Sequence, residues 1–463
     1  MSTIAGRLAE HVTDSAEREV DQSLDEQMRS LLFDYLAVAA AGAALPSSRA
    51  AAASVATSAA RSDVHPATIV GTDRFAAPGD AAFVGGVTGH GLELDDTHEE
   101  ASLHPGVVVL PTVLAIGEVQ RSTWAQLVRA AVAGYDVMCA AGVQIGADDT
   151  YRRGFHPTGV AGALGSAAAA ALLRGLDTAS TTMAIALAAD MAAGSLEFLS
   201  DGSWTKRLNA GHAASVGIRA ASLAASGFVG PETAIEGTSG WLTQYGHGGG
   251  GRDLDIEFGR AAHETSIKFY PCCRYMHGAI DLLREIHRDT PDAAGRARRI
   301  EVGVIRAGMA LVADPPERKL VIETPVDAQF SMPFGAALAL ATGTATPEQF
   351  GNAAAEALEL AELMATVRCV SSPALEESYP KQWRAEVRVE LDDGSVIERA
   401  EAAFRGAPAN PATITEIHEK AVGLIGRERA DELRRSMAAM EPDDGAGIGR
   451  VIGAAGSPSG PAA

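Results

Sequence analysis

The segment GHGLELDDTHEEASLHP, Gly89 to Pro105, carries Glu93, Asp95, Asp96, Glu99 and Glu100 together with His90, His98 and His104. Carboxylates and imidazoles at this density suit a metal centre, a magnesium-diphosphate clamp, or proton transfer without a metal. Asp95-Asp96-Thr97-His98-Glu99 spells DDxxE, the acidic pairing with which helical, magnesium-dependent prenyl-diphosphate enzymes hold their substrate. Such a clamp needs a second acidic motif across the cavity and a lining rich in aromatics. No downstream DDxxD occurs, and aromatics make up only 5% of the chain. The histidines fit no familiar ligand spacing and HExxH is absent, so no metal is expected. The structural alternative is that Asp95-Asp96-Thr97 caps a helix, and Glu99 and Glu100 are expected to face solvent.

Other polar islands interrupt the apolar sequence. RRGFHPTGVAGALG sets His156 at a helix start, where unpaired backbone N–H groups favour an anion. GSWTKRLNAGHAAS sets Lys206 and Arg207 before a helix of small residues, and a solvated basic pair is the plain alternative. IKFYPCCRYMHGAIDLL groups Lys268, Arg274 and His277 around Pro271, with Cys272 and Cys273 expected to be packed and inert. Brought together, these cations would make a local positive pocket for a substrate with two or three carboxylates. The chain as a whole has a formal net charge of −21, which gives no footing for nucleic acid or an anionic membrane surface.

The elements that must position these groups follow from length and periodicity. A chain of 463 residues is expected to form two domains. It is 47% hydrophobic with much Ala and Gly, which predicts a mainly helical protein whose helices approach closely. Helical periodicity runs through residues 1–265 and returns over 404–440, predicting one large all-helical domain. Gly246 to Gly251, with His247 inside it, lacks the GK[ST] ending of a phosphate loop and reads as a crossover. Residues 266–403 predict a second, smaller α+β domain, with a strand over Arg299–Ala307 and a hairpin over Ala385–Phe404 turning at Asp392-Asp393-Gly394. The Gly/Pro-rich tail, 441–463, is expected to lack fixed structure. Four cysteines without a CxxC pair indicate neither zinc nor disulfides. The polar start has no signal-peptide core, and apolar runs break well before ~20 residues. A soluble, cytoplasmic protein is the expectation.

Five ordered motifs, HGLELDDTH…HP…LPTVLAIGE, RGFHPTGVAGALGSAAAAA, WTKRLNAGHAA, IKFYPCCRYMHGAIDLL and TPVDAQFSMPFGAALAL, resemble the MmgE/PrpD family from about residue 10 to about residue 440. That family includes 2-methylcitrate dehydratase, cis-aconitate decarboxylase and iminodisuccinate epimerase. The resemblance implies a large helical domain with the smaller α+β domain as its lid, a homodimer, no cofactor, and chemistry on small polycarboxylates at a site between the two domains. It assigns the site to His104, His156, Lys206, Lys268, His277, Thr97 and Glu93. Glu93 departs from the family's Asp by one methylene, and Gly85-Gly86 replaces the usual Asn-Gly. On this basis His104 and His277, with Glu93, are expected to move the proton. Lys206, Lys268, His156 and Arg274 are expected to hold carboxylates, with Asp95 and Arg207 contributing to binding. Dehydration of a 2-methylcitrate-like acid is the leading expectation, with decarboxylation or epimerisation as alternatives within the family. A family member that binds a carboxylate without turnover stands outside them.

Overall fold

The computed structural model describes residues 3–246, 254–445 and 447–456. The crossover expected over Gly246–Gly251 lies outside the described residues apart from Gly246.

The chain is mainly helical with a smaller α+β part. At the centre of the helical part lies Pro157–Leu173, buried continuously from Pro157 to Ala171. Its side chains are small enough for four neighbours, Gly106–Gln120, Trp124–Ile145, Thr178–Met191 and Thr205–Ala225, to close around it. A helix apolar on every face can exist only when surrounded in this way.

One close approach sets the site. Helix Pro78–Gly89 crosses Thr205–Ala225 where Gly86 meets Gly211: a Cβ on Gly211 would lie 2.4 Å from the Phe83 carbonyl oxygen, and one on Gly86 2.7 Å from the Gly211 Cα. Glu93 follows the first helix and Lys206 opens the second. Gly211→Ala is therefore expected to cost about 1–3 kcal/mol by overpacking and to lower activity by prising these two groups apart, measured by denaturant unfolding alongside turnover. The adjacent Gly85 leaves room for the Tyr35 hydroxyl, which donates to its carbonyl at 3.1 Å and would sit 2.9 Å from any Cβ there.

The second hydrophobic core gathers residues from Tyr270 to Phe404, with Phe198 from the helical part inserted into it. Its sheet runs in the order Val367–Val370, Ala297–Gly303, Ala385–Leu391, Val396–Glu401, with the first pair parallel and the others antiparallel. Ala385–Leu391 alternates buried and half-buried, as a strand with one face on the core must. The hairpin turns at Asp392-Asp393-Gly394, with Gly394 at φ +82°. The strand expected over Arg299–Ala307 stops at Gly303, and Arg306–Val312 is helix.

After the sheet the chain returns to the first core through Ile414–Ile425 and Arg427–Ala438, the former packed on Gln22–Gly42. The tail differs from expectation. Gly447–Ala454 is a helix that buries Ile448, Val451 and Ile452, because their helical spacing forms an apolar stripe despite the glycines. Residues 457–463 lie outside the described residues. Among the described residues no single helix is long and apolar enough to cross a membrane.

Candidate active site

The acidic segment folds into a loop held from within. Asp96 accepts from the Gly106 N–H at 2.9 Å and from the Tyr135 hydroxyl at 2.7 Å, so it caps the helix Gly106–Gln120 ten positions downstream. Burial pushes the Asp96 carboxyl up to about 7 against those two donors. Thr97-His98 pairs antiparallel with Thr265-Ser266, which brings the loop beside the segment that carries Lys268. Asp95 bonds His90 Nδ1 at 2.8 Å and lies 3.5 Å from His104 Nδ1. Burial opposes ionisation of Asp95, yet His90 and His104 hold its carboxyl well below the usual range.

Glu93 and Lys206 form the central pair. Lys206 Nζ donates to Glu93 Oε1 at 2.6 Å, and Lys268 Nζ lies 3.6 Å from Glu93 Oε2. Burial alone would raise the Glu93 pKa; Lys206 first, with His90 and Lys268, instead holds it well below the usual carboxylate range. Burial pulls Lys206 down, with Glu93 opposing.

Next to this pair stands His104. Its Nδ1 donates to the Asp96 carbonyl at 2.7 Å. A carbonyl can only accept, so the proton sits on Nδ1 and Nε2 carries the free lone pair. Burial lowers the pKa of this imidazole to about 3, with Asp95 opposing and Lys206 and Lys268 adding to the fall. His156, at the start of Pro157–Leu173, stacks on His90 at 5.7 Å between ring centroids and is likewise held neutral by burial and by Lys206.

These groups face a small cavity, about 30 Å³, lined by Glu93, Thr97, His104, His156, Lys206 and Arg274. Sequence reading missed a hydroxyl cluster on the same wall: Ser102 Oγ lies 2.8 Å from the Tyr151 hydroxyl and 3.0 Å from that of Tyr275. Their signal was adjacency, since Ser102 belongs to the acidic segment, Tyr151 precedes the Arg-Arg pair and Tyr275 follows Arg274. Leu196, Phe198, Leu311 and Phe330 make the remaining wall apolar.

Other expected site residues stand apart from the cavity. His277 is buried behind Arg274, which lies 3.4 Å from its Nδ1 and leaves Nε2 to donate to the Cys272 carbonyl at 3.3 Å; it does not line the cavity. Arg207 turns away and donates to Ser47 Oγ at 2.7 Å. Lys268 is fully buried behind Glu93, its ammonium without a hydrogen-bond partner among the described residues. The expectation that Glu99 faces solvent is corrected. Glu99 is 5% exposed and accepts from Arg274 Nη2 at 2.8 Å and from Ser266 Oγ at 3.1 Å, because an arginine 175 positions away needs a buried counter-ion. Arg274 therefore reaches the cavity already paired. His98 turns to the other side of the loop, toward Glu264 at 3.4 Å. Burial drives the thiols of Cys272 and Cys273 upward, away from nucleophilic thiolates.

Among the described residues, the group that could hold a metal ion is His90, Asp95 and His104, whose ligand atoms lie within 4.8 Å of one another. The donor set does not fit an ion well. His90 Nδ1 and Asp95 Oδ2 are bonded to each other and His104 Nδ1 is committed to the Asp96 carbonyl, which leaves His90 Nε2, Asp95 Oδ1 and His104 Nε2 as the open donor atoms. Lys206 and Lys268 stand beside them and would repel a dication. The DDxxE reading fares no better, since Asp95 and Asp96 are both turned inward to protein donors. The arrangement suits moving a proton beside a carboxylate.

The chain belongs to the MmgE/PrpD family: the N-terminal domain matches over residues 6–251 and the C-terminal domain over residues 270–441. At that level the protein is an enzyme of lyase type. Among curated proteins it is 27% identical to the cis-aconitate decarboxylase-like protein oryM of Aspergillus oryzae, over 95% of this chain and 94% of that one. It is 25% identical to cis-aconitate decarboxylase of Aspergillus terreus, over 96% and 91%. To the human cis-aconitate decarboxylase it is 27% identical, over 73% and 71%.

Proposed function

We propose that this protein is a cofactor-independent lyase for a small polycarboxylate, and that its reaction is allylic decarboxylation of an aconitate-like acid. The observation that carries the reading is His104 and Lys206 facing one small cavity, an imidazole able to carry a proton beside a cation able to take charge. End-to-end similarity to curated decarboxylases supports the choice among lyase reactions. In this reaction the C–C bond to one carboxylate breaks and CO₂ leaves. The electron pair moves through the adjoining C=C toward a second carboxylate, and a proton then joins carbon. Lys206 stabilises the charge growing on that second carboxylate. His104 delivers the proton. The substrate's own negative charge raises the imidazole pKa, and Asp95 at 3.5 Å is the counter-ion of the imidazolium. The apolar wall of Phe198 and Phe330 desolvates the carboxylate that departs.

A second reading, dehydration of a 2-methylcitrate-like acid, is favoured by the hydroxyl wall of Ser102, Tyr151 and Tyr275, which could take a leaving hydroxyl. There the proton runs the other way, from carbon to His104 Nε2.

Incubation in D₂O with cis- and trans-aconitate, citrate, 2-methylcitrate and iminodisuccinate, followed by NMR with and without EDTA, tests both. The expected result is an exomethylene product from an aconitate, carrying one new deuterium and formed equally with EDTA present. A new alkene from citrate or 2-methylcitrate without CO₂ release replaces this reading with dehydration. Activity lost to EDTA and restored by Mg²⁺ overturns both.

A further inference from the structure

The chemistry above uses neither Lys420 nor Asp34, yet the two form a buried ion pair against the site loop. Lys420 lies on Ile414–Ile425 and Asp34 on Gln22–Gly42, two helices that pack together. Lys420 Nζ is 2.7 Å from Asp34 Oδ1, and the side chains are 6% and 3% exposed. A buried pair of this kind contributes little net stability, because desolvation offsets the attraction. Its other contact suggests why it is there: Lys420 Nζ also donates to the Leu94 carbonyl at 2.9 Å.

Leu94 separates Glu93 from Asp95. Glu93 has φ +55°, in the left-handed region that a side-chain-bearing residue holds only when its surroundings impose it. From that conformation its carboxylate reaches Lys206 at 2.6 Å and Lys268 at 3.6 Å, while Asp95 reaches His90 at 2.8 Å. The second oxygen of Asp34 has no hydrogen-bond partner among the described residues, so the carboxylate serves Lys420 alone. The clamp thus joins the first long helix and the returning C-terminal segment to the one strained residue of the central ion pair.

We propose that Lys420, anchored by Asp34, is a positioning residue of the site: by pinning the Leu94 carbonyl it holds the Glu93 turn, and with it the Glu93–Lys206 pair, beside His104. For its kinetic readout this inference rests on the lyase reading; its structural readout does not.

The test compares Lys420→Met with the conservative Lys420→Arg. In crystals of Lys420→Met, Glu93 is expected to leave the left-handed region and its carboxylate to move beyond about 4 Å from Lys206, whereas Lys420→Arg keeps the contact. With the substrate that the wild-type protein turns over, Lys420→Met is expected to lower kcat about tenfold or more while KM changes less than about threefold, and Lys420→Arg to restore most of kcat. Because Lys420 acts through Glu93, the double variant Glu93→Gln/Lys420→Met should be no slower than Glu93→Gln alone. An unmoved Glu93 in Lys420→Met crystals, or losses that multiply in the double variant, overturns the inference. If Lys420→Met does not fold, Asp34→Asn replaces it in the same comparison. If the wild-type protein turns over none of the acids, the lyase reading fails and the crystals alone decide the clamp.

Discussion

Lys206→Met is expected to lower kcat/KM by about three orders of magnitude and, separately, to destabilise the fold by about 3–5 kcal/mol. The two effects have one origin. Lys206 and Glu93 are both buried and meet at 2.6 Å, so removing the ammonium leaves a carboxylate whose nearest remaining cation is Lys268 at 3.6 Å. An uncompensated charge in that setting is what makes breaking a buried pair so much costlier than never having it. A second variant separates stability from chemistry. Glu93→Gln/Lys206→Met leaves no charge at either position, and should recover part of the stability in urea unfolding without recovering turnover. Activity that returns with stability would mean that Lys206 serves the fold only. Near-normal kcat/KM in the folded single variant would remove it from the chemistry altogether.

His104→Gln should reduce kcat by about 10²- to 10⁴-fold, the usual contribution of a positioned acid or base. The pH profile then tells which direction the proton travels. With its pKa lowered from the ordinary 6.5 to about 3, His104 is neutral in the empty site across the physiological range. If chemistry starts from the neutral base, kcat/KM is flat between about pH 5 and 8. If His104 must carry a proton to carbon, each substrate has to bring one in, and kcat/KM falls by up to about tenfold per pH unit over the same range. The decarboxylation proposed here requires the falling profile. Stability gives an independent check on the same imidazole. A histidine whose folded pKa is depressed binds its proton more readily when unfolded, so stability is present above 6.5 and is lost as pH falls toward 3. His104→Gln should therefore lose about 1–2 kcal/mol less than wild type between pH 7 and pH 5.

Much of the architecture was legible because the relevant signals are local. Alanine-rich runs at helical spacing announce Pro157–Leu173 and Thr205–Ala225, and Asp392-Asp393-Gly394 announces the hairpin by its turn chemistry. Val367–Val370 could not be read, since four residues in parallel pairing owe their state to Ala297–Gly303, far away in sequence. The site shows the same divide. Its polar residues could be picked out as charge in apolar text, and the segments carrying Glu93, His104, His156 and Lys206 do converge on one cavity. What the text withholds is pairing. Glu99 reads as a solvated glutamate until Arg274 arrives beside it, and Arg274 reads as a free cation until Glu99 does. His277 and Arg207 carry the right chemistry, but backbone direction turns one behind Arg274 and the other toward Ser47.

The dimensions of the cavity have a kinetic meaning. A space of about 30 Å³ holds one or two water molecules, far less than a six-carbon acid. One side of it carries His104, His156 and Lys206 from the helical part, and the other carries Arg274 together with Tyr275 and Trp383 of the core around the sheet. On the proposed reaction, a six-carbon acid needs those two sides to move apart. In that case a carbanion formed after closure would meet His104 before bulk water, and the frequency of opening would set an upper bound on turnover.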